Sequence, residues 1–385
     1  MTAHIEGTPP LNEPDDFGTA KFDRDAIAAE VTDRAAASGG VPPSPTGRPV
    51  RAPEPDSTMW TAPAPVSAPS LGGTPSPIGL DARPAQWGWR GRANRLAHGA
   101  LTIGAGPEER LHRAARRRLL RPFKRAMTVV VANPKGGAAK TPTALLAGAT
   151  LGFHRGGYTL VWDNNETRGT LGIRAEDAPH GRTVVDLLQD IDDFLSVSAS
   201  VGRLSGYLRP QSARFDVLAS DDKPGAMDII DDAAVAKLWT ALSRYYRLLV
   251  VDTGNNVRSA NWRAVTDLAD CLVVPTTVQS DVADSGLWML DHLRRSGHQK
   301  LAANAVAVVS CADPRTDPEL LRQITERYRE VVRDVVVIPH DPYVRSGGRI
   351  EYDHLAVATR RAWLLACTSI IDSLGLADQR AEPPK

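Results

Sequence analysis

Asn133-Pro134-Lys135-Gly136-Gly137-Ala138-Ala139-Lys140-Thr141-Pro142-Thr143 is the stretch on which the reading of this chain turns. Before it stands an apolar, β-branched run, Met127-Thr128-Val129-Val130-Val131-Ala132, and after it a helix-like run, Ala144-Leu145-Leu146-Ala147-Gly148-Ala149. The order is therefore strand, glycine-bearing loop, helix. Glycines let backbone N–H groups turn toward a ligand, and the start of a helix aims its unpaired amides and positive dipole end at the same point. Such a loop is a phosphate cradle, with Lys140 expected along the phosphates and the Thr141 hydroxyl on Mg²⁺. A glycine-containing βα turn in an unrelated α/β enzyme is the alternative.

The loop departs from the plain G-x-x-x-x-G-K-[ST] pattern in two ways: Ala139 replaces the glycine before the lysine, and an extra lysine, Lys135, stands at its head. The string Asn-x-Lys-Gly-Gly-x-x-Lys-Thr resembles the deviant Walker A loop of the ParA/MinD family of ATPases. That resemblance implies ATP and Mg²⁺ as cofactors and nucleotide contacts from Gly136, Gly137, Ala138, Ala139, Lys140, Thr141 and Pro142. It also implies a homodimer formed on ATP binding, in which Lys135 reaches across to the partner's nucleotide.

Downstream, apolar runs alternate with helical patterns. Thr159-Leu160-Val161-Trp162 ends at Asp163, Arg214 to Ala219 is a short strand, Asp231 to Tyr245 reads as helix, and Arg247-Leu248-Leu249-Val250-Val251 ends at Asp252. Further strands are expected at Cys271 to Pro275, Ala305 to Val309 and Val335 to Pro339, with helix-like segments between them. Near-continuous apolar strands alternating with helices predict an α/β fold with a doubly wound, mostly parallel sheet, in which ligands sit at the C-terminal strand ends. Lys140, Asp163 and Asp252 are expected to converge there.

Asp252 closes the most hydrophobic strand and is followed by Thr253-Gly254. A carboxylate at the end of a buried strand beside a phosphate loop is suited to ordering Mg²⁺; otherwise such a residue is a turn or helix cap. Asp163 begins Asp163-Asn164-Asn165-Glu166, where the ParA/MinD resemblance implies a first switch of the form Asp-x-Asp. Asp163 would stand near the metal, while Asn165 replaces the second acid. An amide can position water but cannot take a proton, so hydrolysis is expected to be slow unless Glu166 substitutes. Pro142 replaces a hydroxyl residue and donates nothing, and Ala139 costs on the order of 1 kcal/mol if its φ must be positive. Ala269 to Thr276 and Val337-Ile338-Pro339-His340-Asp341 extend the resemblance. By it Pro339 and Asp341 are candidates for base contacts; alternatively Pro339 merely ends a strand.

The rest of the chain brackets this domain. Of the 385 residues 29 are proline, concentrated toward the N-terminus. Residues 1–83 are rich in Pro, Ala, Ser, Thr and Gly, too poor in large apolar groups to offset the entropy of ordering, and are expected to be a disordered tail. Within it Phe22 to Ala37 offers a short helix, either a partner-binding element or a transient one. Residues 84–125 turn basic and aromatic. Trp87-Gly88-Trp89-Arg90 opens the segment, and a helix is expected from Pro107-Glu108-Glu109 onward, carrying Arg110, Arg113, Arg116, Arg117 and Arg118 and leading on to Arg121, Lys124 and Arg125. The arginines from Arg110 to Arg125 could hold DNA or an anionic membrane surface. Equally, the helix could pack on the ATPase core with its arginines solvated. In layout this upstream part is similar to EspI-like ATPases of type VII secretion loci and to plasmid ParA-like proteins. The expected domains are thus a tail at 1–83, a basic segment at 84–125, a P-loop ATPase at 126–378 and a disordered end at 379–385.

Bulk composition excludes little. Formal net charge is +1, so the whole-chain field selects no partner class. Three cysteines, Cys271, Cys311 and Cys367, lie far apart in apolar stretches, with neither zinc nor disulfide spacing, and are expected to be buried and reduced. No basic-then-apolar leader is visible, and no apolar run approaches the roughly 20 residues needed to span a bilayer. The expected location is cytoplasmic, possible nucleoid or membrane association included. The expected activity is that of an ATPase positioning or regulating a cargo, either in plasmid or chromosome partition or at a secretion apparatus, with a hydrolysis-poor nucleotide-gated scaffold as the alternative.

Overall fold

The structure, a computed structural model, describes residues 83–98, 102–165, 169–196, 199–221 and 226–380. The expected N-terminal tail, including Phe22 to Ala37, lies outside the described residues apart from Arg83, and so does Glu166.

Eight strands form one sheet: β1 (Met127–Val131), β2 (Thr159–Asn164), β3 (Arg209–Gln211), β4 (Phe215–Leu218), β5 (Leu248–Thr253), β6 (Cys271–Thr277), β7 (Val306–Ser310) and β8 (Asp334–Ile338), in the order β3-β4-β2-β5-β1-β6-β7-β8. All pairs are parallel except β3 with β4. The longer helices are α1 (Gly88–Leu96), α2 (Pro107–Leu119), α3 (Lys140–Arg155), α4 (Asp232–Ser243), α5 (Ala260–Asp267), α6 (Ser280–Arg295), α7 (Pro318–Arg329) and α8 (Val357–Arg380).

Successive residues of a strand face opposite sides of a sheet, and the central strands obey this with apolar groups on both sides. Val130, Leu249, Val251, Leu272 and Val274 join one core beneath α4, α5, α6 and α7. Val129, Val131, Val250, Val273 and Val308 join the other beneath α3 and α8. The sheet is therefore covered on both faces, as the near-continuous apolar runs of β1, β5 and β6 require. The antiparallel edge strand β3 was not anticipated, because three residues with proline at their centre carry no strand pattern.

The basic segment is docked. The α2 helix opens with Pro107 in its first turn and buries Ala115 and Leu119 in the core shared with α8; full burial of a leucine contributes about 1.5–3 kcal/mol. Arg155, the last residue of α3, donates to the carbonyls of Leu119 and, at 2.9 Å, Arg121, satisfying the end of α2. Several arginines of the expected binding face are used internally. Arg113 bonds Glu109 and the Pro84 carbonyl, Arg118 meets Asp372 at 3.3 Å, and Arg125 makes a two-pronged pair with Asp270 at 2.8 and 3.0 Å. Arg110, Arg116 and Arg117 are exposed.

Two smaller expectations change. Cys271 and Cys367 are buried, but Cys311, in the loop after β7, is partly exposed. At the other end α8 runs to Arg380, into the stretch 379–385 expected to be unstructured. No helix among the described residues is long and apolar enough to cross a membrane.

Candidate nucleotide site

The loop between β1 and α3 is anchored at its first residue. Asn133, 1% exposed, donates through Nδ2 to the carbonyls of Pro275 (2.8 Å) and Val282 (3.3 Å), and its Oδ1 accepts from the Lys135 amide at 3.0 Å. One buried amide thus ties the loop to the end of β6 and the start of α6. Further on the backbone enters the left-handed region twice, at Gly137 (φ 79°) and at Ala139 (φ 64°, ψ 32°). Ala139 therefore carries the strain its methyl group implies. It is also the residue before α3, and no side chain caps that helix, which leaves the first amides of α3 directed at the loop's concavity. Pro142 occupies the first turn, where its missing N–H breaks no helical bond.

Lys140 Nζ donates to Asn255 Oδ1 and, at 3.2 Å, to the Lys135 carbonyl. Beside it Thr141 donates its hydroxyl to Asp252 Oδ2 at 2.6 Å. The β2–β5 register sets Asp163 directly opposite Asp252, so the carboxylates of two adjacent parallel strands end at the same rim. Both are buried, at 1% and 3% exposure. Burial, and next the neighbouring Asp163 charge, push the Asp252 carboxyl up to about 8, against the pull of Thr141 and Lys140. Burial likewise raises Asp163, whose oxygens accept from Ser220 Oγ (2.8 Å) and the amides of Asn165 (3.2 Å) and Leu171 (3.3 Å). Asp252 Oδ1 is buried with no hydrogen-bond partner.

That orphaned oxygen bears on whether a divalent cation fits. Two buried carboxylates facing one another are kept ionised only at a cost, and a cation would relieve it. Among the described residues no group of three or more His, Cys, Asp or Glu side chains is placed to hold a metal. The donors present are a hydroxyl and buried carboxylates beside the glycine-bearing loop, a hard-oxygen set that fits Mg²⁺ and not zinc.

Other predicted residues fall differently. Gly136 and Ala138 lie within the loop, Ala138 buried at 1%. Asn165 follows β2, half-buried, on the Asp163 side of the rim. Lys135 meets Asp281 of its own chain at 3.0 Å in an exposed ion pair. Pro339 and Asp341 follow β8, three strands from β1 and so roughly 14 Å away across the rim. Asp341 accepts from the amides of Tyr343 and Ala356, each at 3.0 Å, so both its oxygens are occupied in capping a turn and holding a loop. Its observed task is structural.

Three further residues line this rim: Ser220, Asn255 and Thr170, whose hydroxyl lies 3.3 Å from that of Thr141. Only Asn255 has a signal in the sequence, its place three residues after Asp252. Gly169 is sterically required: a Cβ there would lie 2.0 Å from Asp163 Oδ2 and 2.3 Å from Ser220 Oγ.

No protein-family profile matches the chain. The chain is 25% identical over 300 residues to the ESX-1 secretion-associated protein EspI of Mycobacterium tuberculosis, in strains CDC 1551 and H37Rv. The match covers 77% of this chain and 44% of the relative, so the chain spans less than half the length of the curated relatives it matches. Solved structures with a similar arrangement include a ParA family ATPase from Chlorobium tepidum (15% identity, TM-score 0.48, covering 66% of this chain and 98% of that one). A cell division ATPase MinD from Pyrococcus furiosus is also similar (18% identity, TM-score 0.48, covering 65% and 99%).

Proposed function

We propose that this chain is a Mg-ATP-binding P-loop ATPase of the ParA/MinD type. The observation that carries the reading is the hydrogen bond from Thr141 to Asp252, with the second Asp252 oxygen buried and unpartnered, directly below an uncapped helix start. A protein with no anionic ligand at this point would gain by capping α3 and pairing that oxygen.

In this reading Lys140 leaves Asn255 to lie along the phosphates, and the open amides of α3 bind phosphate oxygens. Thr141 and Asp252 hold the metal side, with Asp163 beside them. Magnesium, when bound with the nucleotide, neutralises phosphate charge and polarises the terminal phosphorus. Lys135 is exposed and held by a solvent-screened pair, so it can leave Asp281 for the nucleotide of a second copy at little cost. Asn165 orients water but accepts no proton. A hydrolysis-poor, nucleotide-gated binding protein is the second reading, favoured by Asn165 and by the engagement of Asp163 with Ser220 and two backbone amides.

The likeness to EspI supports a place in regulating a secretion apparatus over a place in DNA partition. In this reading the solvent-facing side of the basic segment, which carries Arg116, meets an anionic surface, and the N-terminal tail meets a protein partner. Calorimetric titration of ATP, followed by phosphate release from the same sample, tests the proposal. Magnesium-dependent binding with measurable turnover supports an ATPase, binding with no turnover supports the gated reading, and absence of binding rejects both.

A further inference from the structure

A cavity of about 310 Å³ lies where α2, the C-terminal end of α3 and α8 meet, roughly 21 Å along the α3 axis from Lys140. Its wall is an unbroken series of rings. Trp87 packs on His112 at 4.7 Å between centroids, His112 on His154 at 6.1 Å, His154 on Phe153 at 5.1 Å, and Phe153 on Tyr352 at 4.9 Å. Cations stand at both ends: the Arg361 guanidinium is 5.6 Å from the Trp87 ring and that of Arg214 is 5.7 Å from Phe153. Arg360 lines the cavity beside Arg361.

The nearby acids do not balance this charge. Glu109 is buried and committed to Arg113 and to the amides of Gln86 and Trp87. Glu108 meets Arg361 at 3.4 Å but is 77% exposed, where such a pair is screened, and Asp353 is exposed on the Tyr352 side. The imidazoles respond first to burial and then to the surplus. Burial, then His112 and the charges of Arg116 and Arg214, bring His154 down to about 4; burial and Arg116 and Arg361 lower His112. At neutral pH the cavity thus has neutral aromatic walls and an arginine edge. Its volume is at the low end of the range for ligand pockets, about 300–1,000 Å³, enough for one fused ring system and too small for a nucleotide. A planar guanidinium matches a carboxylate with two parallel hydrogen bonds.

We propose that this cavity is a second ligand site, taking a small planar aromatic carboxylate whose ring lies among Trp87, His112 and Phe153 and whose charge meets Arg360 and Arg361. The test is ligand-observed NMR and calorimetry on the full chain with indole-3-carboxylate, compared with uncharged indole and ring-free acetate. Indole-3-carboxylate should bind at least tenfold more tightly than either. Arg360→Gln with Arg361→Gln should weaken it at least tenfold, and Val357→Trp, which fills the mouth from its exposed side, should do the same with the charges kept. In both variants thermal unfolding and ATP binding should stay as in the parent. Equal binding of indole, binding unchanged in either variant, or no binding of the carboxylate at millimolar concentration overturns the proposal.

Discussion

Ala139→Gly isolates the backbone of the phosphate loop from its chemistry. Ala139 sits at φ 64°, ψ 32°, and an L-residue other than glycine pays about 1–2 kcal/mol for that region. Glycine removes this cost but adds unfolded-state freedom worth roughly 0.4–1 kcal/mol, so the net gain is about 0.8 kcal/mol, the middle of a span of roughly 0–1.6. For a domain of this size that is a rise of roughly 1–4 °C in Tm. The companion variant Ala139→Val, β-branched at a positive φ, should fall by at least as much. Differential scanning calorimetry of the nucleotide-free protein reads both. If Ala139→Gly is less stable than the parent, the loop does not hold the left-handed turn described above, and the cradle geometry is wrong. ATP affinity should follow the same order, because the turn presents the α3 amides.

Gly169→Ala should lower stability by about 1–3 kcal/mol, the usual cost of overpacking a buried site, and should weaken Mg-ATP binding by displacing Asp163; a variant as stable as the parent in chemical denaturation would contradict the packing around that carboxylate. Lys135→Ala should leave nucleotide binding by the monomer within about threefold, on the order of the surface pair it gives up, while ATP-dependent dimers disappear from analytical ultracentrifugation; intact dimers would remove the trans role. For His154 the folded pKa is depressed below the unfolded value, so its contribution to stability is present above about pH 6.5 and is lost as pH falls toward 4. The Tm of the parent should therefore drop between these pH values more than that of His154→Gln, and parallel curves would show that His154 is not the group responsible.

The fold was legible because its decisive signals are local and strong. The runs at Val129-Val130-Val131 and Leu248-Leu249-Val250-Val251 are apolar at every position, which only a sheet covered on both faces explains. Lys140, Thr141, Asp163 and Asp252 were readable as site candidates because each stands at the boundary of such a strand or of the helix after it. Ser220 and Thr170 were not, since a lone hydroxyl in a loop has no pattern and only the strand order β4-β2-β5 brings these loops together. The basic segment was half legible. Its helix start is marked by Pro107 and two acids, and Glu109 stands four residues before Arg113, yet nothing in the arginine spacing says that Arg113 also reaches the Pro84 carbonyl or that Arg125 turns toward Asp270, because those acceptors are distant in sequence. Asp341 is a base-contact candidate only through the family resemblance, and its acceptor bonds to the amides of Tyr343 and Ala356 belong to a fold that sequence spacing does not display.

The central claim is that Lys140, Thr141 and Asp252 form a magnesium-dependent nucleotide site. Fluorescence titration of a methylanthraniloyl-ATP probe, with magnesium and with chelator, for the parent and for Lys140→Ala tests it most directly. The account predicts saturable binding that magnesium strengthens at least tenfold and that Lys140→Ala weakens at least tenfold, with the variant's Tm unchanged. Binding indifferent to magnesium and equal in both proteins would contradict it.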